Sequence, residues 1–570
     1  MTDDNSKDDN QPTLSADGVM RRRIMLGMLA GAGMVALGPT VAAGDESTVN
    51  APRDYPQRRS RRVLDCVVDA GKDQGAIDPR IFGTNLEWFN NGDGFISKDP
   101  AHTARLIELA REQGVTVFRF PGGILADYYN WVDGTGPCRS RPVRKHGSDP
   151  GSSRNFFGSP EFFELLQATG AQGLVTVNAG TGTAQEAARW VAYANAPDNA
   201  RRRADGFADP IGIKLWEVGN ELYLPGNPNE QPIGVTPTVY ARRFREFARA
   251  MRGVDPTIKA IAIGVAKSHT GPNTHYPDWT RILLQQAAPD IDMIAVHNAY
   301  FPMLYKVGIP PVPEVYRALW AAPEAVDRSL TELEALIARH ESTRRIGIAI
   351  TEWGALYSLP RFDPYWFDHV KTLGSGVYIA RLLQVFMSHP RVELSNYFKF
   401  VDDSFMGWVN WQGHRKVPYW VFELYARYSG DRRISAHVES PTYDTPQFGI
   451  MFAEQNVPEV TVLATRRSFD GRVYVNFVNR SLTTRYRVRI HPRNYTPQRV
   501  EIMSVTGNEP TANNGPDIPP GLGFRPAFEP YTTAPPGSIR IERRMMHGNM
   551  VELPPFSVLT VVGLSNCLTA

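Results

Sequence analysis

Cysteine is scarce: Cys66, Cys138 and Cys567 are the three in 570 residues, too few for a disulfide framework and enough for one bridge at most. Metal-binding patterns are missing as well. There is no CxxC pair and no HExxH helix, and the histidines lack ligand spacing, so neither a metal nor any other cofactor is expected. No sign of charge dominates, since 62 Lys and Arg against 59 Asp and Glu leave a net charge of +3, which argues against a nucleic-acid stripe and against an acidic tail. A neutral partner such as an oligosaccharide or polysaccharide suits that balance, and self-association is left open. Eleven Trp and 22 Tyr would serve to stack on sugar faces, but a core of this size also consumes aromatics, so no single ring marks a site by itself.

One apolar stretch stands near the amino end. Residues 1 to 19 are polar and Asp-rich, and Met20-Arg21-Arg22-Arg23-Ile24-Met25-Leu26 then leads into a Gly/Ala-rich segment ending near Val41-Ala42-Ala43. A basic region, a moderately apolar stretch and a small-residue cleavage site are the parts of a secretory signal, and the paired arginines with weak hydrophobicity resemble the twin-arginine type. Cleavage near Gly44 would give a secreted or periplasmic protein with no membrane segment. The competing reading is an uncleaved anchor, against which Gly27, Gly31, Gly33 and Pro39 weigh as poor spanning residues. Residues 44 to 61, rich in Pro and Arg, read as a linker.

The length predicts a large domain with a smaller companion. From 79 to 430, short β-branched runs alternate with amphipathic helical stretches, the pattern of βα units around a parallel sheet. Eight runs can be counted: Ile81 to Trp88, Val115 to Phe120, Leu174 to Asn178, Lys214 to Gly219, Ala260 to Val265, Met293 to His297, Gly347 to Glu352 and Leu394 to Phe400. Eight such strands close into a (β/α)8 barrel, whose chemistry sits at the carboxyl ends of the strands. Polar residues gather there: Asn85 and Glu87-Trp88, Arg119, Asn178, Asn220-Glu221, His297-Asn298 and Glu352-Trp353. Six polar strand ends converging on one mouth are hard to explain by packing, because buried charge is costly without partners.

Glu221 and Glu352 are the candidate catalytic pair. Cleaving a glycosidic bond with retention takes one carboxylic acid to protonate the leaving oxygen and a second carboxylate, about 5 Å away, to attack the anomeric carbon. Strands four and seven face each other across a barrel mouth, so these two carboxylates can meet there. Asn220, beside the acid, can offer its amide to the sugar hydroxyl next to the reacting carbon.

With the Asn-Glu after strand four and the lone Glu after strand seven, the chain resembles clan A of the glycoside hydrolases. It is more closely similar to glycoside hydrolase family 51, the α-L-arabinofuranosidases. That likeness is carried by Ile77-Asp78-Pro79-Arg80-Ile81-Phe82-Gly83 with Glu87, and by Phe118-Arg119-Phe120-Pro121-Gly122-Gly123. It continues in Tyr129-Asn130-Trp131-Val132-Asp133-Gly134-Thr135-Gly136-Pro137, Arg141-Pro142 and Val177-Asn178-Ala179-Gly180-Thr181-Gly182-Thr183. The resemblance implies Glu221 as general acid/base and Glu352 as nucleophile, with Arg119 holding Glu352 ionised. It implies substrate contacts from Glu87, Asn178, Asn220, His297, Tyr300 and Trp353. Glu217, inside strand four, is read as structural. The chain departs from the family at Ile124, where an Asn is expected, and at Ala299, where a Tyr is expected, although Tyr300 is adjacent. Both departures point to a sugar other than a simple terminal α-L-arabinofuranoside.

After residue 430 the helical patterns give way to alternating strands, Val460 to Thr465, Arg472 to Asn479, Tyr486 to Ile490 and Ser557 to Val562, which read as an antiparallel β-sandwich over 431 to 570. The segment 62 to 78, with its strand Val63 to Asp69, is expected to join it. Thr506 to Gly548, rich in Pro, Gly and Asn, reads as a long loop. The functional expectation is an exported retaining glycoside hydrolase acting by double displacement, which the resemblance makes α-L-arabinofuranosidase-like, on plant or microbial polysaccharide. Its rivals are a clan A glycosidase for another sugar, such as a β-xylosidase, a hexuronidase or another furanosidase, and a non-catalytic carbohydrate-binding barrel. The last would be favoured had either carboxylate been lost.

Overall fold

In the computed structural model, residues 57 to 564 are described apart from 98, 146–151, 227–229, 267–275, 298–312, 342–344, 356–370, 402–406, 411–412, 449–450, 498 and 513–538. The signal segment, Cys567, Asn298, Ala299 and Tyr300 therefore lie outside the described residues. Cys66 and Cys138 are both free, and burial pushes the Cys66 thiol up to about 12. No helix among the described residues is long and apolar enough to cross a membrane.

Eight parallel strands close into a barrel in sequence order. They are Gly83–Asn85, Val117–Phe120, Gln172–Val177, Leu215–Val218, Lys259–Ile263, Met293–Ala295, Gly347–Trp353 and Val392–Tyr397, and the last pairs with the first. Each falls within or overlaps one of the eight runs read from the sequence. The helices between them start and stop where local chemistry dictates. Thr183 caps Ala184–Asn195 in a reciprocal box with Glu186, Thr236 caps the helix that begins at Pro237, and Gly114 at φ +85 ends Pro100–Gln113.

Alternation along the strands layers the barrel interior. Val117, Leu174, Leu215, Ile261, Met293, Ala295, Ala349 and Leu394 form an apolar floor. Side chains two residues on point the same way, one layer nearer the carboxyl ends. From that floor the next layer is Arg119, Thr176, Glu217, His297 and Thr351, all buried. The barrel is thus dry at the bottom and polar immediately beneath its mouth, which is where the candidate site stands.

The second domain is one nine-stranded sheet. Its neighbouring strands pair antiparallel, except that Arg58–Ala76 runs parallel to Thr484–Arg493 while pairing antiparallel with Arg432–Val438. The expected antiparallel domain is there, its strands hydrogen-bonded in one continuous order with a single parallel pairing, the consequence of inserting a strand from before the barrel between two from after it. It encloses its own core around Leu64, Val68, Phe477, Val488, Ile502 and Val551. The span expected as a long loop contains a strand, Ile539–Met546, paired with Arg499–Gly507. That strand lies at the sheet edge with nearly every side chain exposed, so it needs no sustained apolar alternation, and what there is stops at Glu542. Helix Leu373–Ser388 docks the barrel on this sheet, with Gln384 donating to the Asn476 carbonyl and accepting from Thr461.

Candidate active site

Arg119 organises the polar layer. Its guanidinium donates to Glu217 Oε2 at 2.6 Å, to Glu352 Oε1 at 2.8 Å, to Asn85 Oδ1 at 3.0 Å and to Asn220 Oδ1 at 2.8 Å. Arg119 and Glu217 are fully buried. A planar fork of five N–H donors suits such a hub, where an ammonium would not reach all four acceptors. Glu217 also accepts from Thr176 and Thr351, each at 2.7 Å. Burial opposes its charge, but Arg119 and then His297 outweigh that and hold its carboxyl down at about 2. The reading of Glu217 as structural stands, since its oxygens are spent on the layer below the mouth.

The nucleophile candidate emerges from a break in the alternation. Thr351 bonds Glu217 and the next residue, Glu352, bonds Arg119, so two consecutive side chains face inward. Against the neighbouring strand, Ile350 is level with Ser395 while Trp353 is level with Tyr397, three steps against two, and this bulge supplies the turn. It also sends Trp353 away from the mouth. Its ring is fully buried among Phe386, Tyr397 and Trp408, which corrects its expected contact with substrate. Arg119 does contact Glu352 as anticipated, but its charge is shared with Glu217. Burial therefore leaves the Glu352 carboxyl above its ordinary range despite His297 and Arg119, with Glu221 pushing in the same direction as burial.

Glu221 sits on a turn after strand four with φ +49, a left-handed conformation that costs a non-glycine residue about 1 kcal/mol or more. Tyr223, two residues on, donates its hydroxyl to Glu221 Oε1 at 3.1 Å. His297 joins the two carboxylates: Nδ1 lies 3.3 Å from Glu221 Oε1 and 3.8 Å from Glu352 Oε1, and Nε2 contacts the Thr351 hydroxyl at 2.6 Å. Because that hydroxyl donates to Glu217, it accepts from His297 Nε2–H. Burial works against the imidazolium, but Glu352, Glu217 and Glu221 raise His297 to about 9, so at neutral pH it is a cation donating at both ends. One ring nitrogen spanning both oxygens fits the close spacing of a retaining pair, about 5 Å.

The remaining expected contacts divide. Asn220 accepts from Arg119, and its amide nitrogen has no partner among the described residues, leaving a donor beside Glu221. Glu87 stands at the mouth, held by Lys399 Nζ at 2.5 Å, and the same ammonium contacts Asp93 at 2.5 Å. Asn178 is committed to its own loop: it donates to Thr181 and accepts from the N–H groups of Thr181 and Gly182, so its expected role at the sugar gives way to a loop-holding one. Ile124 is buried at the start of the short helical turn Ile124–Tyr128. Over the segments that follow strands one to four lies a cavity of about 460 Å³ lined by Trp88, Tyr128, Tyr129, Asn130, Thr181 and Glu230, among others.

Sequence reasoning missed Tyr223, Asp127, Thr351 and Lys399. Tyr223 alone had a usable signal, its place two residues after the acid. No group of His, Cys, Asp and Glu among the described residues could hold a metal ion.

A closed parallel barrel with an Asn-Glu after strand four and a Glu at the end of strand seven is the arrangement of the clan A glycoside hydrolases. Two family models match the chain, the Alpha-L-arabinofuranosidase 1 domain over residues 110–299 and the Alpha-L-arabinofuranosidase C-terminal domain over 351–523. An intracellular exo-α-(1→5)-L-arabinofuranosidase of Streptomyces lividans is 28% identical over 438 residues, covering 72% of this chain and 63% of that protein. An exo-α-(1→6)-L-arabinofuranosidase of Bifidobacterium longum is 25% identical over 511 residues, 83% of this chain and 94% of that protein. Among solved structures, the family 51 α-L-arabinofuranosidase of Thermotoga petrophila superposes with a TM-score of 0.71 at 26% identity, over 88% of this chain and 99% of that one. Together these matches support a clan A glycoside hydrolase of family 51.

Proposed function

We propose that this protein hydrolyses α-L-arabinofuranosides or closely related glycosides in oligosaccharides or polysaccharides by double displacement with retention. The observation that carries this reading is the His297 ring, one nitrogen of which lies within reach of both Glu221 and Glu352. In the first step a Glu352 oxygen bonds to the anomeric carbon while the bond to the leaving oxygen breaks, and that oxygen takes the proton of Glu221. Water then attacks the same carbon, gives a proton to Glu221, and releases the Glu352 carboxylate. Arg119 and His297 supply the cationic surroundings that favour the carboxylate at the moment it leaves. Asn220 offers its unpaired amide to the neighbouring sugar hydroxyl, and the cavity over strands one to four receives a further part of the substrate, its Trp and Tyr rings facing sugar and its polar groups fixing orientation.

Ile124 favours a second reading of the sugar itself. An apolar side chain where the family resemblance implies an Asn removes one hydrogen bond from the reacting subsite, and polar sites discriminate chiefly through such bonds. A sugar with a different hydroxyl pattern would then be preferred. The test is a panel of nitrophenyl glycosides, comparing α-L-arabinofuranosides, galactofuranosides, xylosides and glucuronides, with the configuration of the first-formed product read by NMR. Retention at a furanoside supports the reading; an inverted product overturns it. Export through the amino-terminal segment is proposed on the same footing, and amino-terminal sequencing of the extracellular protein should find a start near Gly44, against an intact amino terminus in the membrane fraction.

A further inference from the structure

Asp127 is a carboxylate with no place in the proposed chemistry. It is fully buried on the turn Ile124–Tyr128 after barrel strand two, and it reaches across to the turns after strands three and four. Its Oδ1 accepts from the N–H groups of Ala179 at 2.9 Å and Gly180 at 3.0 Å, and its Oδ2 accepts from the N–H of Asn220 at 2.7 Å. Asn220 lies between Gly219 at φ +79 and Glu221 at φ +49. Two left-handed residues flanking one whose N–H is held by a side chain make a turn that the chain does not adopt unaided, and a non-glycine residue held so persists only when its surroundings over-determine it.

The junction is built tightly around this carboxylate. A methyl at Gly219 would meet Ala179 and Asp127 Oδ1 at 3.1 Å, and one at Gly180 would lie 2.8 Å from Asp127 Cβ. Burial raises the Asp127 carboxyl to about 7 against the pull of its three N–H donors, the mark of an acceptor kept in a dry place for its geometry rather than for its charge.

We infer that Asp127 is a positioning residue for the acid/base: by holding the Asn220 N–H against the turns of strands two and three, it fixes the left-handed backbone that aims Glu221 at the leaving oxygen. Glu352 has its own bond to Arg119 and its own bulge in strand seven, and Asp127 reaches Arg119 only through the Asn220 side chain, so loss of Asp127 falls first on proton donation and less on the nucleophile. This rests on the acid/base reading of Glu221 made above.

The experiment uses the full-length protein and a series of aryl and alkyl furanosides whose leaving groups range from dinitrophenolate to a simple alcohol. Glu221→Gln sets the scale, since a missing general acid costs roughly 10²–10⁴-fold and chiefly where the leaving group is poor. Asp127→Asn is expected to show the same slope at smaller size, within about threefold of the parent protein on dinitrophenyl substrates and down about a hundredfold on alkyl ones, the sign of a weakened proton donor. In the double variant the two losses should not add on poor leaving groups, because residues acting through one another are non-additive. Active protein is counted by covalent labelling with a 2-fluoro glycoside bearing an activated leaving group, which needs Glu352 but no acid. Asp127→Ser, smaller and still an acceptor, serves as the second variant. A loss equal across all leaving groups, or complete loss of labelling in both variants, overturns the inference. A flat profile for Glu221→Gln itself would instead remove the acid assignment, which separates failure of that reading from failure of this one.

Discussion

Two of the buried charge networks about the barrel are balanced in opposite ways. Where the barrel meets the sheet, one carboxylate lies between two guanidiniums: Arg381 donates to both oxygens of Glu324 at 3.0 and 2.9 Å, and Arg480 donates to it at 2.6 Å and to the Trp320 carbonyl at 2.7 Å. Burial opposes the Glu324 charge, but the two guanidiniums overwhelm it and hold the carboxyl well below its ordinary range. At the barrel mouth the ratio is reversed, with Arg119 and His297 facing Glu217, Glu352 and Glu221. Two cations cannot satisfy three carboxylates in a dry site, so Glu352 is pushed up while Glu217 is pulled down. A surplus of cations locks a charge, and a shortage leaves a proton free to move.

Substitutions in the two networks should therefore separate activity from stability. Glu352→Gln is expected to lower turnover by several orders of magnitude and Glu221→Gln by roughly 10²–10⁴-fold on poor leaving groups, with melting temperatures held in both. Glu324→Gln should do the reverse. It leaves two guanidiniums buried with too little counter-charge, which costs about 3–5 kcal/mol of stability, while kcat of the folded fraction is unchanged. Thermal melts and steady-state kinetics on the three variants check the comparison. A melting temperature that falls as far for Glu352→Gln as for Glu324→Gln would break it.

A smaller effect is expected in the dependence of stability on pH. His297 has a folded pKa raised from 6.5 to about 9, so its contribution is full below about pH 6.5 and is lost as pH rises through 9. His389, between Asp327 and Glu334, is raised to about 9 as well and falls in the same window. Glu217, held down from 4.5 to about 2, contributes above about pH 4.5 and loses its share as pH falls through 2. Melting temperature against pH should drop between about 6.5 and 9 in the parent protein. His297→Gln and His389→Gln should each flatten part of that drop, and an unchanged slope in His297→Gln would contradict an imidazolium at the site.

The smallest effect concerns the sugar. Ile124→Asn restores one amide and is expected to shift preference toward α-L-arabinofuranoside by about tenfold in kcat/KM relative to the other glycosides, the scale of one contact. No shift would mean that the buried Ile124 does not reach the sugar.

Much of this was legible in the sequence, for definite reasons. All eight barrel strands are buried on both faces and so read as short β-branched runs, and both catalytic candidates stand at strand ends where no packing need explains a carboxylate. Beyond Arg119 and His297 the polar layer could not be read, because the inward facing of Thr176, Glu217 and Thr351 follows from register against the floor and not from any local pattern. Contacts across 93 residues, from Asp127 to Asn220, and across 312, from Lys399 to Glu87, have no sequence signal at all. Trp353 misled because the bulge at strand seven turns it into the core.

If a Glu352 oxygen bonds to the anomeric carbon, a glycosyl-enzyme on that residue can be trapped. The protein is incubated with a 2-fluoro furanoside carrying an activated leaving group, digested, and its peptides weighed and fragmented. One added sugar is expected, carried by Glu352 and absent in Glu352→Gln. Stoichiometric labelling of any other residue, or rapid turnover of natural glycosides by Glu352→Gln, would contradict it.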